Sequence, residues 1–82
     1  MNKDIDFPQY RKLSNEKVFY KIISDRDFVE IQLMGSKAFL YKVTAIQYPE
    51  MLKIQDMLSF SDGVYMPSNQ AEFEKFIDNY SL

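Results

Sequence analysis

The side chains best suited to acid–base chemistry are four carboxylates near predicted turns and helix ends, namely Asp56, Asp62, Glu72 and Glu74. Two carboxyl groups can divide the roles of acid and base or nucleophile, as they do in glycoside hydrolysis. Acidic residues are common at such positions, however, because they cap helices and favour the positive end of the helix dipole. A domain this small also leaves little room for a substrate cleft. We therefore expect these carboxylates to be structural.

Other catalytic chemistries lack their reactive groups, because the chain contains no His and no Cys. This removes the side chain that titrates near neutrality, the thiolate nucleophile and the usual nitrogen and sulfur metal ligands. Ser36 and Ser61 match no nucleophile motif and fit turns. The acidic segment 24–27 is too short for a calcium loop, and two isolated glycines make no phosphate-binding loop. We predict a protein that is not an enzyme and has no cofactor or metal site, with a carboxylate-based enzyme as the remaining catalytic alternative.

Composition predicts one folded domain over residues 1–82, with residues 1–9 irregular. The hydrophobic fraction of 46% and the charged fraction of 27% are ordinary for a globular domain. The longest apolar run, residues 38–41, is too short to span a bilayer, and the N-terminus has no apolar stretch typical of a signal peptide. Without cysteines to form disulfides, we expect a cytoplasmic location and no membrane contact. The bias toward Lys, Ile, Asn, Phe and Tyr is typical of an AT-rich microbial gene, and we expect a bacterial one.

Alternation of apolar and polar side chains predicts an antiparallel meander. Its three strands are expected over 17–23, 28–34 and 37 to about 47. Gly35-Ser36 fits a type II′ turn, because the first position of that turn needs a positive φ that Gly adopts without steric cost. A fourth strand over residues 10–13 is an open addition.

Helical spacing predicts two helices. The first covers 49–59, with an extended conformation of 51–58 as the alternative. The second begins near Asn69, with Ser68 as a rival cap, and has an apolar stripe made by Phe73, Phe76, Ile77 and Tyr80. Residues 64–66 are predicted as a short edge strand. The expected fold class is α+β, a small antiparallel β-meander of three to four strands with a short helix and a C-terminal helix packed on one face.

The two sheet faces are expected to differ. The face toward the helices is predicted to carry Val18, Tyr20, Ile22, Val29, Ile31, Leu33, Phe39, Tyr41, Val43 and Ala45. The opposite face is predicted to carry Phe19, Ile23, Phe28, Met34, Leu40 and Ile46 among Lys21, Glu30, Gln32, Lys42 and Thr44. Such an apolar patch on a small protein is typical of a contact surface. In the alternative, the segment 5–8 or the helix 49–59 covers this face.

From this outer face we predict a small non-catalytic module for protein interaction or self-association, with either another protein or a second copy as the partner. The candidate interaction surface comprises Phe19, Lys21, Phe28, Gln32, Leu40 and Lys42. The alternative function is single-stranded nucleic-acid binding, with bases stacked on strand aromatics beside Lys21 and Lys42. A net charge of −2 and a pI of about 5.0 oppose that alternative, because affinity for the phosphate backbone depends on surplus positive charge.

Overall fold

The computed structural model describes residues 6–60 and 63–82, which form a five-stranded antiparallel sheet and two helices. The elements are, in chain order, β1 (Gln9–Leu13), β2 (Val18–Ile22), β3 (Asp27–Met34), β4 (Lys37–Thr44), α1 (Tyr48–Ser59), β5 (Tyr65–Pro67) and α2 (Gln70–Tyr80). The strand order is β4-β3-β2-β1-β5, so β4 and β5 are the edges of the described sheet. The predicted α+β class is confirmed. The open strand at 10–13 is present as β1, and the short edge strand is present as β5.

Local sequence signals explain where β4 begins and ends. Among the described residues φ is positive at Gly35 (64°) but not at Ser36, as the predicted type II′ turn requires. β4 then ends at Thr44 rather than near Gln47. The reason is that the Glu50 carboxylate accepts hydrogen bonds from the backbone N–H groups of Ile46 (3.1 Å) and Gln47 (3.2 Å), which commits this segment to the start of α1.

The C-terminal end of α1 is fixed to β1 by a buried arginine. The predicted helix is confirmed, and the extended alternative for 51–58 is wrong. Phe60 ends the helix in the left-handed conformation with φ 57°. Arg11 donates from Nε to the carbonyl oxygen of Met57 at 2.8 Å, and its guanidinium lies 4.2 Å from the centroid of the Phe60 ring. Arg11 therefore satisfies a carbonyl that the end of the helix leaves without an intrahelical partner.

The N-terminal end of α2 is fixed to the same strand. Asn69 is the cap, because its side chain accepts a hydrogen bond from the Glu72 backbone N–H at 2.8 Å. Ser68, the rival cap, instead donates through its hydroxyl to the Glu72 carboxylate. Lys12 donates to the other oxygen of that carboxylate at 3.1 Å. Glu72, one of the four candidate catalytic carboxylates, is thus a structural contact between α2 and β1.

The two helices pack on opposite faces of the sheet. We call these the α1 face and the α2 face. The core under α1 contains Tyr20, Ile22, Phe28, Ala45, Ile54 and Met57, and the core under α2 contains Phe19, Val29, Ile31 and Phe73. Because successive residues of a strand point to opposite sides, Phe19 and Tyr20 belong to different cores. Helix 49–59 therefore covers one of the two faces, but Phe19 and Leu40 of the predicted outer face are covered by the C-terminal helix instead.

Alternation of side chains within each strand was predicted correctly. The prediction of which residues on neighbouring strands share a face was wrong. Phe19 pairs with Ile31, and Ile22 pairs with Phe28. The loop after β2 closes when the Ile23 N–H donates to the Asp27 carbonyl at 2.9 Å. Val29, Ile31 and Leu33 therefore share the α2 face with Phe19, and Phe28 joins Tyr20 and Ile22 on the α1 face.

Two sequence-based expectations concern residues near the ends of the described ranges. The first is that segment 5–8 covers the second sheet face. Ile5 of this segment lies outside the described residues, and Phe7 is exposed. Ser61 and Asp62, considered for catalysis, also lie outside them. Neither described helix has the length and apolar character that a membrane crossing requires.

The Glu72 contacts predict acid-sensitive stability. Hydrogen bonds from Ser68 and then Lys12 hold the pKa of the Glu72 carboxyl below its usual range. A lowered folded-state pKa stabilises the fold above the unfolded pKa of about 4.3, and this contribution disappears as the pH falls through the folded value. We expect Glu72→Gln to lower stability at pH 7 and to make the loss below about pH 4.3 shallower. The measurement is urea unfolding across pH.

Glu74→Gln is the matched control, because Glu74 lies exposed on the same helix and bonds Gln70. It is expected to keep the pH dependence of the unchanged protein. Equal pH profiles for Glu72→Gln and the unchanged protein would contradict this role for Glu72.

Candidate interaction edge

The six residues of the predicted interaction surface do not share one face. The cross-strand pairs place Phe19, Lys21, Leu40 and Lys42 on the α2 face, and Phe28 and Gln32 on the α1 face. Phe19 and Phe28 are each only 2% exposed. The ring of Phe19 lies 4.3 Å from that of Phe76, and Leu40 packs into the same core. The predicted outer face does not exist as a continuous exposed surface.

Part of the exposed apolar surface lies on the α1 face along β4. Phe39 is 41% exposed and Tyr41 is 46% exposed, and Met34 at the end of β3 is 59% exposed. Phe39 and Tyr41 were predicted in the core under the C-terminal helix, and this was wrong. The core under α1 extends along β4 only as far as Val43, which packs against it. We call Met34, Phe39 and Tyr41 the aromatic flank.

A partly buried ion pair marks the limit of the region that α1 covers. Lys53 of α1 donates to Glu30 at 3.2 Å, and its Nζ lies 5.2 Å from the centroid of the Tyr20 ring. Glu30, predicted to face solvent, is only 9% exposed, and Gln32 donates to its other carboxylate oxygen. Burial, assisted by the Glu30 charge, raises the pKa of the Tyr20 hydroxyl above its usual range. Because Glu30 pairs with Tyr41, the aromatic flank begins directly beyond this ion pair.

The backbone of β4 directs half of its polar groups away from the sheet. The Ala45 N–H donates to the Arg26 carbonyl at 2.6 Å, in continuation of the register of β3 with β4. Hydrogen-bonded pairs alternate in an antiparallel ladder, so every second residue of β4 bonds to β3. The residues whose N–H and C=O groups point outward are Ala38, Leu40, Lys42 and Thr44. These groups form an unpaired edge within the described sheet.

The two sheet edges differ in their capacity to pair with another strand. β5 has three residues and ends at Pro67, which has no N–H to donate. β4 has eight residues and no proline, and its charged side chains are Lys37 and Lys42. Natural sheets protect their edges by short strands, proline, bulges or charge. β5 is protected by the first two devices, whereas β4 has only its two lysines.

The three candidate catalytic carboxylates that the structure describes do not converge on one site. Asp56 lies on α1, whereas Glu72 and Glu74 lie on α2, across the sheet. The described residues contain no group of three or more His, Cys, Asp or Glu side chains that are arranged to hold a metal ion. A shallow cavity of about 270 Å³ lies at the Thr44 end of β4, and its one carboxylate, Asp27, accepts hydrogen bonds from Ser24 and Thr44.

The aromatic flank was missed, but the sequence contained a signal for it. A two-residue turn at Gly35-Ser36 makes Met34 and Lys37 partners, as observed. Pairing then places Phe39 opposite Gln32 and Tyr41 opposite Glu30, on the face with the polar residues of β3. The register set by the predicted turn is therefore enough to place Phe39 and Tyr41 on the opposite face from Ile31.

A scan against protein-family models, a search of curated proteins and a search of solved structures each found no match.

The exposure difference between the aromatic residues predicts losses of stability of different size. Phe19→Ala leaves a cavity beside Phe76 and is expected to lower the free energy of unfolding by about 3 kcal/mol or more. Phe39→Ala and Tyr41→Ala are expected to lower it by about 1 kcal/mol or less, because both side chains are largely exposed. Urea unfolding followed by circular dichroism measures these values. A loss for Phe39→Ala as large as that for Phe19→Ala would show that the aromatic flank is part of the core.

Proposed function

We propose that this protein is a small non-catalytic interaction module that docks an extended protein strand along the free edge of β4. The bound strand belongs either to another protein or to a second copy of the chain. The observation that carries the proposal is the outward-facing backbone of the eight-residue strand β4, next to exposed Phe39 and Tyr41. With both sheet faces occupied by helices, the edge replaces the outer face as the predicted interaction surface.

Strand addition to a sheet edge supports this function on physical grounds. Main-chain hydrogen bonds supply affinity, and side chains at alternate positions supply specificity. In β4 the outward main-chain groups belong to Ala38, Leu40, Lys42 and Thr44. The aromatic flank contributes two large exposed rings beside this edge, and aromatic residues are enriched at the centres of protein interfaces. We propose that the module acts in the cytoplasm.

The alternatives have less support. Base stacking on Phe19 is blocked, because that ring is buried against Phe76 under α2. Lys21 and Lys42 lie two strands apart, with Val29 between them, and two cations give little affinity for a phosphate backbone. Carboxylate catalysis lacks a convergent pair among the described residues, since Asp56 and Glu72 belong to helices on opposite faces. A protein strand therefore fits the described surface best.

Site-specific photo-crosslinking in cells that express the protein tests this function. A photoreactive amino acid replaces Lys42 on the edge or, as the matched control, Lys75, which is exposed on α2. We expect protein adducts to form at position 42 several times more strongly than at position 75. The additional change Phe39→Lys/Tyr41→Lys is expected to remove the adducts at position 42. Equal labelling at positions 42 and 75 would contradict the proposed function.

A further inference from the structure

We infer that the strand docked on β4 is the β4 strand of a second copy, paired antiparallel about a two-fold axis that passes through Leu40. This inference rests on the proposed function and names its partner. Two copies joined in this way form one continuous sheet of ten strands, because each contributes the five strands of its own sheet. Such an interface is isologous, so the same surface of each chain must be complementary to itself.

The lysines of β4 restrict the register of this pairing. With Leu40 opposite Leu40 of the second copy, each Lys42 lies opposite Ala38, and the two Lys42 residues are separated by four positions, or about 14 Å along the strands. This distance exceeds the Debye length of about 8 Å at physiological ionic strength. A shift that places Tyr41 opposite itself reduces the separation to about 7 Å, and the next shift places Lys42 directly against Lys42. Charge therefore disfavours both of these shifted registers relative to the one centred on Leu40.

The same register makes the aromatic flank complementary to itself. Phe39 of each copy lies opposite Tyr41 of the other, so two aromatic pairs form side by side on the α1 face. Residues 39 and 41 occupy non-hydrogen-bonded positions of the new ladder, where facing Cα atoms are only about 4.5 Å apart and side chains contact most closely. Both rings are more than two-fifths exposed in the single chain, and the partner covers them. On the α2 face, Leu40 meets its own copy.

The backbone N–H and C=O groups also pair in this register. Outward groups of Leu40 bond to Leu40 of the second copy, and those of Ala38 bond to Lys42, so each edge supplies the donors and acceptors that the other needs. Lys37 lies opposite Val43, which keeps the two Lys37 side chains about 20 Å apart. The packing of α2 on the sheet leaves the Lys42 side chain exposed.

Cysteine crosslinking tests the register, because the chain contains no native cysteine. Ala38→Cys and Lys42→Cys proteins are mixed and mildly oxidised. Facing Cα atoms in a hydrogen-bonded pair are about 5.5 Å apart, within the range of a disulfide. We expect the mixture to give a covalent dimer of twice the 9.8 kDa chain, and each variant alone to give several-fold less. The control mixture of Ala38→Cys with Thr44→Cys, which matches the shifted register, is also expected to give several-fold less.

Sedimentation equilibrium supplies the second measurement. The unchanged protein is expected to dimerise, and Phe39→Lys/Tyr41→Lys to weaken the dimer about tenfold or more. Preferential crosslinking of the 38/44 mixture would overturn the register, and a protein that is monomeric throughout would overturn self-pairing. If the protein is monomeric, photo-adducts at position 42 with a mass other than twice the chain would still support the proposed docking function. The absence of such adducts would contradict both self-pairing and the docking function.

Discussion

Two apolar faces on one small sheet are the constraint from which the rest of this fold follows. Phe19 and Ile31 on one face, and Ile22 and Phe28 on the other, each need a cover that excludes water. The chain supplies one helix for each face rather than two for the same face. A helix of eleven or twelve residues covers only part of five strands, and the part left open on the α1 face lies along β4. The apolar side chains beside the edge are thus exposed because each face is covered by only one short helix.

Adjacent residues of β1 hold the two helices in place. Arg11 and Lys12 point to opposite faces because successive residues of a strand alternate. Arg11 bonds the Met57 carbonyl at the end of α1, while Lys12 bonds the Glu72 carboxylate at the start of α2. The Arg11 contact satisfies a carbonyl at the end of α1, and the Lys12 contact pairs with a carboxylate in the first turn of α2. β1 is therefore the strand that positions both covers, and β4, at the far side of the sheet, carries no equivalent contact among the described hydrogen bonds.

Much of this fold was predictable from the sequence, because its signals are local. Alternation located the strands, Gly35 fixed the hairpin turn, and Asn69 with the stripe of Phe73 and Phe76 located α2. The site was not predicted, because side-chain alternation assigns faces within a strand and leaves the pairing between strands open. The loop at 24–26 decides whether Phe28 shares a face with Ile22 or with Ile23. Hydrogen bonds between Ile23, Ser24 and Asp27 close it, and alternation does not encode that closure. Phe19 and Phe28 were consequently placed on one exposed face, whereas they lie in separate cores.

Residue-resolved amide hydrogen exchange at increasing protein concentration tests whether β4 is a docking edge used by a second copy. In the single chain, the amides of Phe39 and Tyr41 bond to β3, whereas those of Leu40 and Lys42 point outward, so adjacent residues report different environments. We expect the outward amides to exchange rapidly in dilute protein and to become protected as concentration rises, while the inward amides stay protected throughout. Outward amides that exchange equally fast at every concentration would contradict it.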